Sequence, residues 1–245
     1  GALRRWGYRG PVHTATTAVT DDALAAVDAT AVAARCRRPG PLNVLFLSRI
    51  RADKGVYDAL EAVRVAQRSG LTLRASVAGD GPDLPRVARW VNEQGVDQVR
   101  FLGDVRGEAK ARLMMESDIY LFPTSHGEGM PATLLEAMAY GMGVVTCSAG
   151  GVEDFFIDGE HGLLAPDAAA STLGSRLEVL ARDAALLEGR MPRVAWARER
   201  DGLLEIRAEG VPAHERPWSL RAGREAVAAR VLALAPLASG AQRPG

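Results

Sequence analysis

Cysteine is almost absent from this 245-residue chain, which has only Cys36 and Cys147. Two thiols cannot build a disulfide scaffold, and no Cys-x-x-Cys or Cys/His spacing suggests a metal site. A reducing, cytoplasmic setting is therefore the expectation. Lysine is just as scarce: Lys54 and Lys110 stand among 28 arginines, so each asks why it is not Arg. Net charge is lacking too. The 30 basic residues balance 30 acidic ones, and no global basic field points to nucleic acid. No apolar run reaches the roughly 20 residues of a membrane-spanning helix. The best candidate, residues 226–238, is interrupted by Arg230 and Pro236. At the N-terminus, Arg4 and Arg5 lead into Trp6-Gly7-Tyr8 rather than the apolar core of a secretory signal. No fixed-period repeat is visible. No P-loop and no Gly-x-Gly-x-x-Gly follows the first apolar run, which disfavours an NTPase or a nicotinamide enzyme.

What is present reads as a globular protein, with 47% apolar and 24% charged residues. At about 100–200 residues per domain, the length suits one large domain or one and a half. From residue 43 the punctuation becomes regular. Apolar runs of strand length lie at Asn43–Leu47, Leu71–Ala78, Gln98–Leu102, Asp118–Phe122 and Gly143–Thr146. Between and after them, helical spacing predicts helices over Gly55–Gly70, Pro82–Gly95, Glu108–Glu116, Pro131–Tyr140 and Ala168–Leu187. Buried-looking strands alternating with helices predict an α/β fold: a Rossmann-like parallel sheet with helices on both faces. Ligands of such sheets bind at the carboxyl ends of the strands. The site is expected in loops 48–55, 79–82, 103–105, 123–131 and 147–153. The flanks differ in character: residues 1–40 hold a Thr-rich stretch (His13–Thr20) and a predicted helix over Asp21–Arg35. Residues 190–245 carry ten Arg against six acidic residues. A helical or partly disordered flank is expected over 191–245, its arginines a solvated surface or a contact for an acidic membrane face.

The chemistry concentrates between Ser125 and Gly141. A strand empties into a loop holding Glu128, and a helix then starts near Pro131, where proline suits the first turn. Its free N–H groups suit a phosphate. Glu136 follows about a turn and a half into the helix, and a carboxylate there can accept two hydrogen bonds from a vicinal diol such as ribose. The stretch Glu128-Gly129-Met130-Pro131 through Glu136-Ala137-Met138-Ala139-Tyr140-Gly141 resembles the Glu-x7-Glu signature of glycosyltransferase family 4, retaining enzymes of the GT-B fold. Gly150-Gly151-Val152-Glu153, Asp158-Gly159 and Gly162-Leu163-Leu164 fit the same pattern. Ser48-Arg49-Ile50-Arg51-Ala52-Asp53-Lys54-Gly55 resembles the family's Gly-Arg-x-x-x-x-Lys-Gly loop, with Ser48 where Gly is common. Softer matches are Gly79-Asp80-Gly81-Pro82 and Phe101-Leu102-Gly103-Asp104-Val105.

The resemblance spans about residues 41–190 and implies the donor-binding half of a GT-B enzyme. Residues 1–40 would be a remnant of the interdomain region, too short for the acceptor domain that precedes the donor domain in this fold. That domain would then lie on a separate or missing segment. The resemblance implies catalytic roles for Arg49 and Lys54 on the donor diphosphate and for Glu128. With the Gly129 and Met130 amides, Glu128 would hold the hexose. Glu136 would hold the ribose, and Pro131, Gly79, Gly81, Gly103, Asp104, Val105, Gly150 and Gly151 would complete the substrate site. It implies no cofactor and no metal, since basic residues stand in for a divalent ion, and no Asp-x-Asp pair is present. The partners implied are a nucleotide-diphosphate sugar and a glycan, lipid-linked or small-molecule acceptor. A non-catalytic nucleotide-sugar-binding module and a phosphorylase-like use of Lys54 as a pyridoxal phosphate anchor remain the alternatives. His126 and Cys147 read as a loop histidine and a small buried strand residue.

Overall fold

A computed structural model describes residues 9, 27, 29–36, 38–125, 127, 131–154, 156–183, 194–200, 203–208 and 218–220. The chain divides into two compact units, Ala18–Arg193 and the pair Gly1–Thr17 with Val194–Gly245.

The larger unit opens with helix α1 (Ala29–Cys36), followed by β1 (Leu42–Leu47), α2 (Val56–Arg68), β2 (Leu73–Ala78) and α3 (Leu84–Gln94). It continues through β3 (Val99–Gly103), α4 (Gly107–Glu116), β4 (Ile119–Phe122), α5 (Ala132–Ala139), β5 (Gly143–Cys147), β6 (Leu163–Ala165) and α6 (Ala170–Arg182). All six strands are parallel, in the order β3-β2-β1-β4-β5-β6. This is the doubly wound Rossmann order, in which right-handed crossovers send the connections of the two halves to opposite faces. The central strands are largely apolar because both faces are covered: every residue of β4 and β5 is buried. Helix α2 lays Val56, Ala59, Leu60, Ala62, Val63 and Ala66 against this core. Its partner α6 comes close at Gly174, where a Cβ would sit 2.8 Å from a Val65 methyl.

At the amino-terminal edge of the sheet a buried cluster ties α1 in. The Arg35 guanidinium donates to the carbonyls of Met114 (3.4 Å), Met115 (3.1 Å), Tyr140 (3.3 Å) and Gly141, the terminal carbonyls of α4 and α5. A cation at two helix carboxyl ends satisfies orphan acceptors and meets the negative ends of both dipoles. Asp118 pairs with Arg35 at 3.8 Å and Arg38 at 3.1 Å and accepts from the Asn43 amide at 2.7 Å. Burial pushes its carboxyl above the usual range, and Asn43, Arg38 and Arg35 pull against that rise.

Three differences from expectation have physical causes. Strand β6 is three residues long, too short to show a period in sequence. Helix α1, expected within a flank, belongs to the larger unit because Arg35 and Asp118 bind it there. Residues 194–220, expected as a helical or partly disordered flank, instead contain β7 (Val194–Arg200), β8 (Leu203–Ala208) and β9 (Trp218–Leu220) in an antiparallel sheet. The helix predicted over Ala168–Leu187 is described as far as Arg182. His13–Thr20 and the start of the helix predicted from Asp21 lie outside the described residues. No helix among the described residues is long and apolar enough to cross a membrane.

Candidate functional site

Strands β1 and β4 are neighbours from which the two halves of the sheet wind in opposite directions, leaving a crevice beyond their carboxyl ends. A cleft of about 380 Å³ lies there, lined by Leu47 at the end of β1, Ser48 and Arg49 after it, Gly79 and Asp80 after β2, and Asp104, Val105 and Arg106 after β3. Lys110 of α4 and Thr133 of α5 complete it.

The loops are stitched together through their backbones. The amide of Ser48 donates to Ala78 (3.2 Å), that of Ile50 to Asp80 (2.9 Å), and that of Asp83 back to Ile50 (3.2 Å). The Asp83 carboxylate accepts from the Ala52 amide at 2.9 Å, holding the turn that carries Asp53 and Lys54. Such contact requires glycine at residue 79: its φ is +127°, and a Cβ there would collide with the Ser48 carbonyl oxygen. A Cβ at Gly81 would likewise strike the Ile50 carbonyl. On the other wall, the buried Tyr120 hydroxyl hydrogen-bonds both the Leu47 carbonyl (3.0 Å) and the Thr133 hydroxyl (2.8 Å), linking β1 to the start of α5. The Thr124 and Ser125 hydroxyls donate to the Asp53 carbonyl at 3.4 Å, so the loops after β1 and β4 are also joined.

Basic and acidic groups share the cleft, Arg49, Arg106 and Lys110 standing with Asp80 and Asp104. Arg49 is exposed at its edge, and Arg106 pairs with Asp104 at 2.7 Å in an exposed rim contact. The Lys110 ammonium lies 2.5 Å from a Glu136 carboxylate oxygen, the pair being half-buried between α4 and α5. Beyond the cleft, burial raises the Cys147 thiol to about 11, so at neutral pH it is a protonated core group rather than a nucleophile. Among the described residues, no group of three or more His, Cys, Asp or Glu is placed to hold a metal ion.

The cleft unites four of the residues expected from sequence, Arg49, Gly79, Asp104 and Val105, and Gly103 ends β3 at its edge. Glu136 reaches it through Lys110. Lys54 ends the short 3-10 turn Ala52–Lys54, just before the glycine that opens α2, and is not one of the lining residues. Pro131 is the buried N-cap of α5. Gly150 and Gly151 form the turn after β5 and are not among the lining residues. His126, Glu128, Gly129 and Met130 lie outside the described residues. Asp80 and Ser48 also line it, within the expected loops 79–82 and 48–55, whereas sequence reasoning missed Leu47, Arg106, Lys110 and Thr133 as lining residues. For Lys110 the signal was available: it is the other lysine of an arginine-rich chain.

Comparison with known proteins bears on the family and the fold. The Mycobacterium leprae phosphatidyl-myo-inositol mannosyltransferase is 37% identical over 149 residues, which cover 60% of this chain and 39% of that protein. The crystal structure of Anabaena Alr3699/HepE in complex with UDP superposes with a TM-score of 0.62 at 20% identity, covering 76% of this chain and 54% of that one. A C-terminal domain of a group 1 glycosyl transferase family protein, LpcC of Francisella tularensis, superposes with a TM-score of 0.55 at 23% identity, covering 66% of this chain and 86% of that one. The chain spans between 32% and 39% of the length of the curated relatives it matches. Residues 41–183 match the family described as Glycosyl transferases group 1. The chain belongs to that family.

Proposed function

We propose that this chain is the donor-binding part of a retaining, metal-independent glycosyltransferase and holds a nucleoside-diphosphate sugar in the cleft beyond β1 and β4. The observation that carries the proposal is the meeting of Arg49, the Gly79–Asp80 turn, the Asp104–Val105 segment and the Lys110–Glu136 pair on one cleft at the switch point of the sheet. The Anabaena neighbour, whose crystal holds UDP, shares this fold.

The assignments follow from chemistry. Arg49 offers a planar fork of donors and Lys54 a compact charge, so together they suit a diphosphate. Neutralisation by these side chains leaves no demand for a divalent ion. Glu136 accepts from the ribose hydroxyls. Glu128 with the Gly129 and Met130 amides, by resemblance, orients the hexose. In transfer, the bond from the anomeric carbon to the diphosphate oxygen breaks and its electron pair leaves with the diphosphate. The acceptor oxygen bonds to that carbon on the same face, its proton passing to the departing phosphate oxygen. Stabilising the departing charge is the main lever, and one such contact is commonly worth about 10²–10³ in rate. The acceptor is a glycan, a lipid-linked sugar or a small molecule. Peripheral contact of the arginine-rich residues 190–245 with an acidic membrane face, from the cytoplasmic side, belongs to the same proposal.

A thermal-shift panel of UDP-, GDP- and ADP-sugars in EDTA tests this. A ligand at 100 times its dissociation constant adds about 2.7 kcal/mol. In a unit of this size that is a rise of roughly 5–10 °C in Tm, unchanged by the chelator. No shift with any nucleotide sugar overturns the donor-binding proposal, and a shift that EDTA abolishes overturns its metal independence.

A further inference from the structure

We propose that Lys110 reads the donor's ribose jointly with Glu136, donating to one hydroxyl of the diol while the carboxylate accepts from the other. The inference deepens the donor-binding proposal above and rests on it. Four observations carry it. The ammonium and carboxylate are 2.5 Å apart, with side chains only 26% and 15% exposed. Lys110 lines the cleft directly, as does Thr133, one turn before Glu136 on the same face of α5. The ammonium engages Glu136 through one oxygen, Oε2, and an ammonium has three donors while a carboxylate has about four acceptor sites. Lys110 is also one of two lysines in a chain that otherwise places arginine wherever it needs a cation.

A vicinal diol presents two hydroxyls side by side, each able to donate and accept. A half-buried ion pair offers the complement: a cationic donor beside an anionic acceptor, fixed by their mutual attraction. The pair is neutral in sum, so it suits hydroxyls better than a diphosphate, whose charge calls for a net cation such as Arg49. Removing Lys110 takes away one donor. It also frees the Glu136 carboxylate to leave the position from which it accepts. Recognition of the hydroxyls therefore falls more than binding of the nucleotide as a whole.

The test is calorimetric titration of the full chain with UDP, GDP and ADP, each against its 2′-deoxy counterpart, for the wild type, Lys110→Met, Lys110→Gln and Lys110→Arg. Removing a hydroxyl bonded to charged groups costs on the order of tenfold or more in affinity, so the wild type prefers the ribonucleotide by about that factor. The ratio is expected to collapse towards one in Lys110→Met and Lys110→Gln and to recover in part in Lys110→Arg, circular dichroism being unchanged. Equal weakening of ribo- and deoxyribonucleotide would make Lys110 a phosphate contact and overturn the inference. An unchanged ratio in both neutral variants overturns it as well. If the wild type binds none of the diphosphates, the donor-binding proposal itself fails, and the inference with it.

Discussion

Arg35→Ala is expected to cost the larger unit about 3–5 kcal/mol, the usual loss when one partner of a buried ion pair is removed. Its guanidinium is nearly inaccessible, with a side-chain exposure of 3%, and it caps carbonyls from the ends of two helices while facing Asp118. Truncation strands several groups together. The terminal carbonyls lose their donor, and Asp118, already disfavoured as an anion by burial, loses one of the charges that offset that cost. At roughly 2–4 °C per kcal/mol for a unit of this size, Tm should fall by about 10 °C. The control is Arg38→Ala, which removes the other cation from the same carboxylate. Its side chain is 45% exposed and its bond to Asp118 is half in water, so the loss should stay below about 1 kcal/mol. Urea unfolding followed by circular dichroism separates the two. Equal losses would show that Arg35 contributes no more than a surface pair.

Arg49→Ala should do the reverse, leaving stability within about 0.5 kcal/mol, as for an exposed residue, while sharply weakening nucleotide binding. The side chain is exposed at the lip of the cleft, and a charged hydrogen bond is typically worth about 1.5–3 kcal/mol. The expected outcome in calorimetry with a nucleoside diphosphate is a loss of about tenfold to a hundredfold in affinity. Arg49→Lys should recover only part of it, because an ammonium keeps the charge and loses the two-pronged geometry. Salt should weaken the wild type more steeply than the alanine variant, since the interaction removed is ionic. An unchanged Kd in Arg49→Ala would place the diphosphate elsewhere.

Much of the fold could be read along the chain because its strands are buried on both faces. Runs such as Leu45-Phe46-Leu47 and Ile119-Tyr120-Leu121-Phe122 have one structural meaning in a βαβ pattern. The cleft's glycines could also be read, since Gly79 stands where two backbones touch. Less visible was anything requiring two distant segments. Lys110 lies on a helix with no motif of its own and becomes a site residue only because α4 and α5 run close enough for it to meet Glu136. Arg35 is a similar case: in sequence it ends an alanine-rich helix, and its role depends on carbonyls about 80 and 105 residues away. The strands of residues 194–220 alternate too irregularly among charged residues to stand out from a solvated flank.

Hydrogen–deuterium exchange with and without a saturating nucleoside-diphosphate sugar tests most directly whether the donor occupies this cleft. Protection should appear in the amides around 47–50, 79–83, 103–110 and 132–136, the segments whose residues line or support it. It should be absent from the amino-terminal edge around Arg35 and Asp118. Protection confined to that edge, or none at all under a ligand shown to bind, would contradict a donor site at the carboxyl ends of β1 and β4.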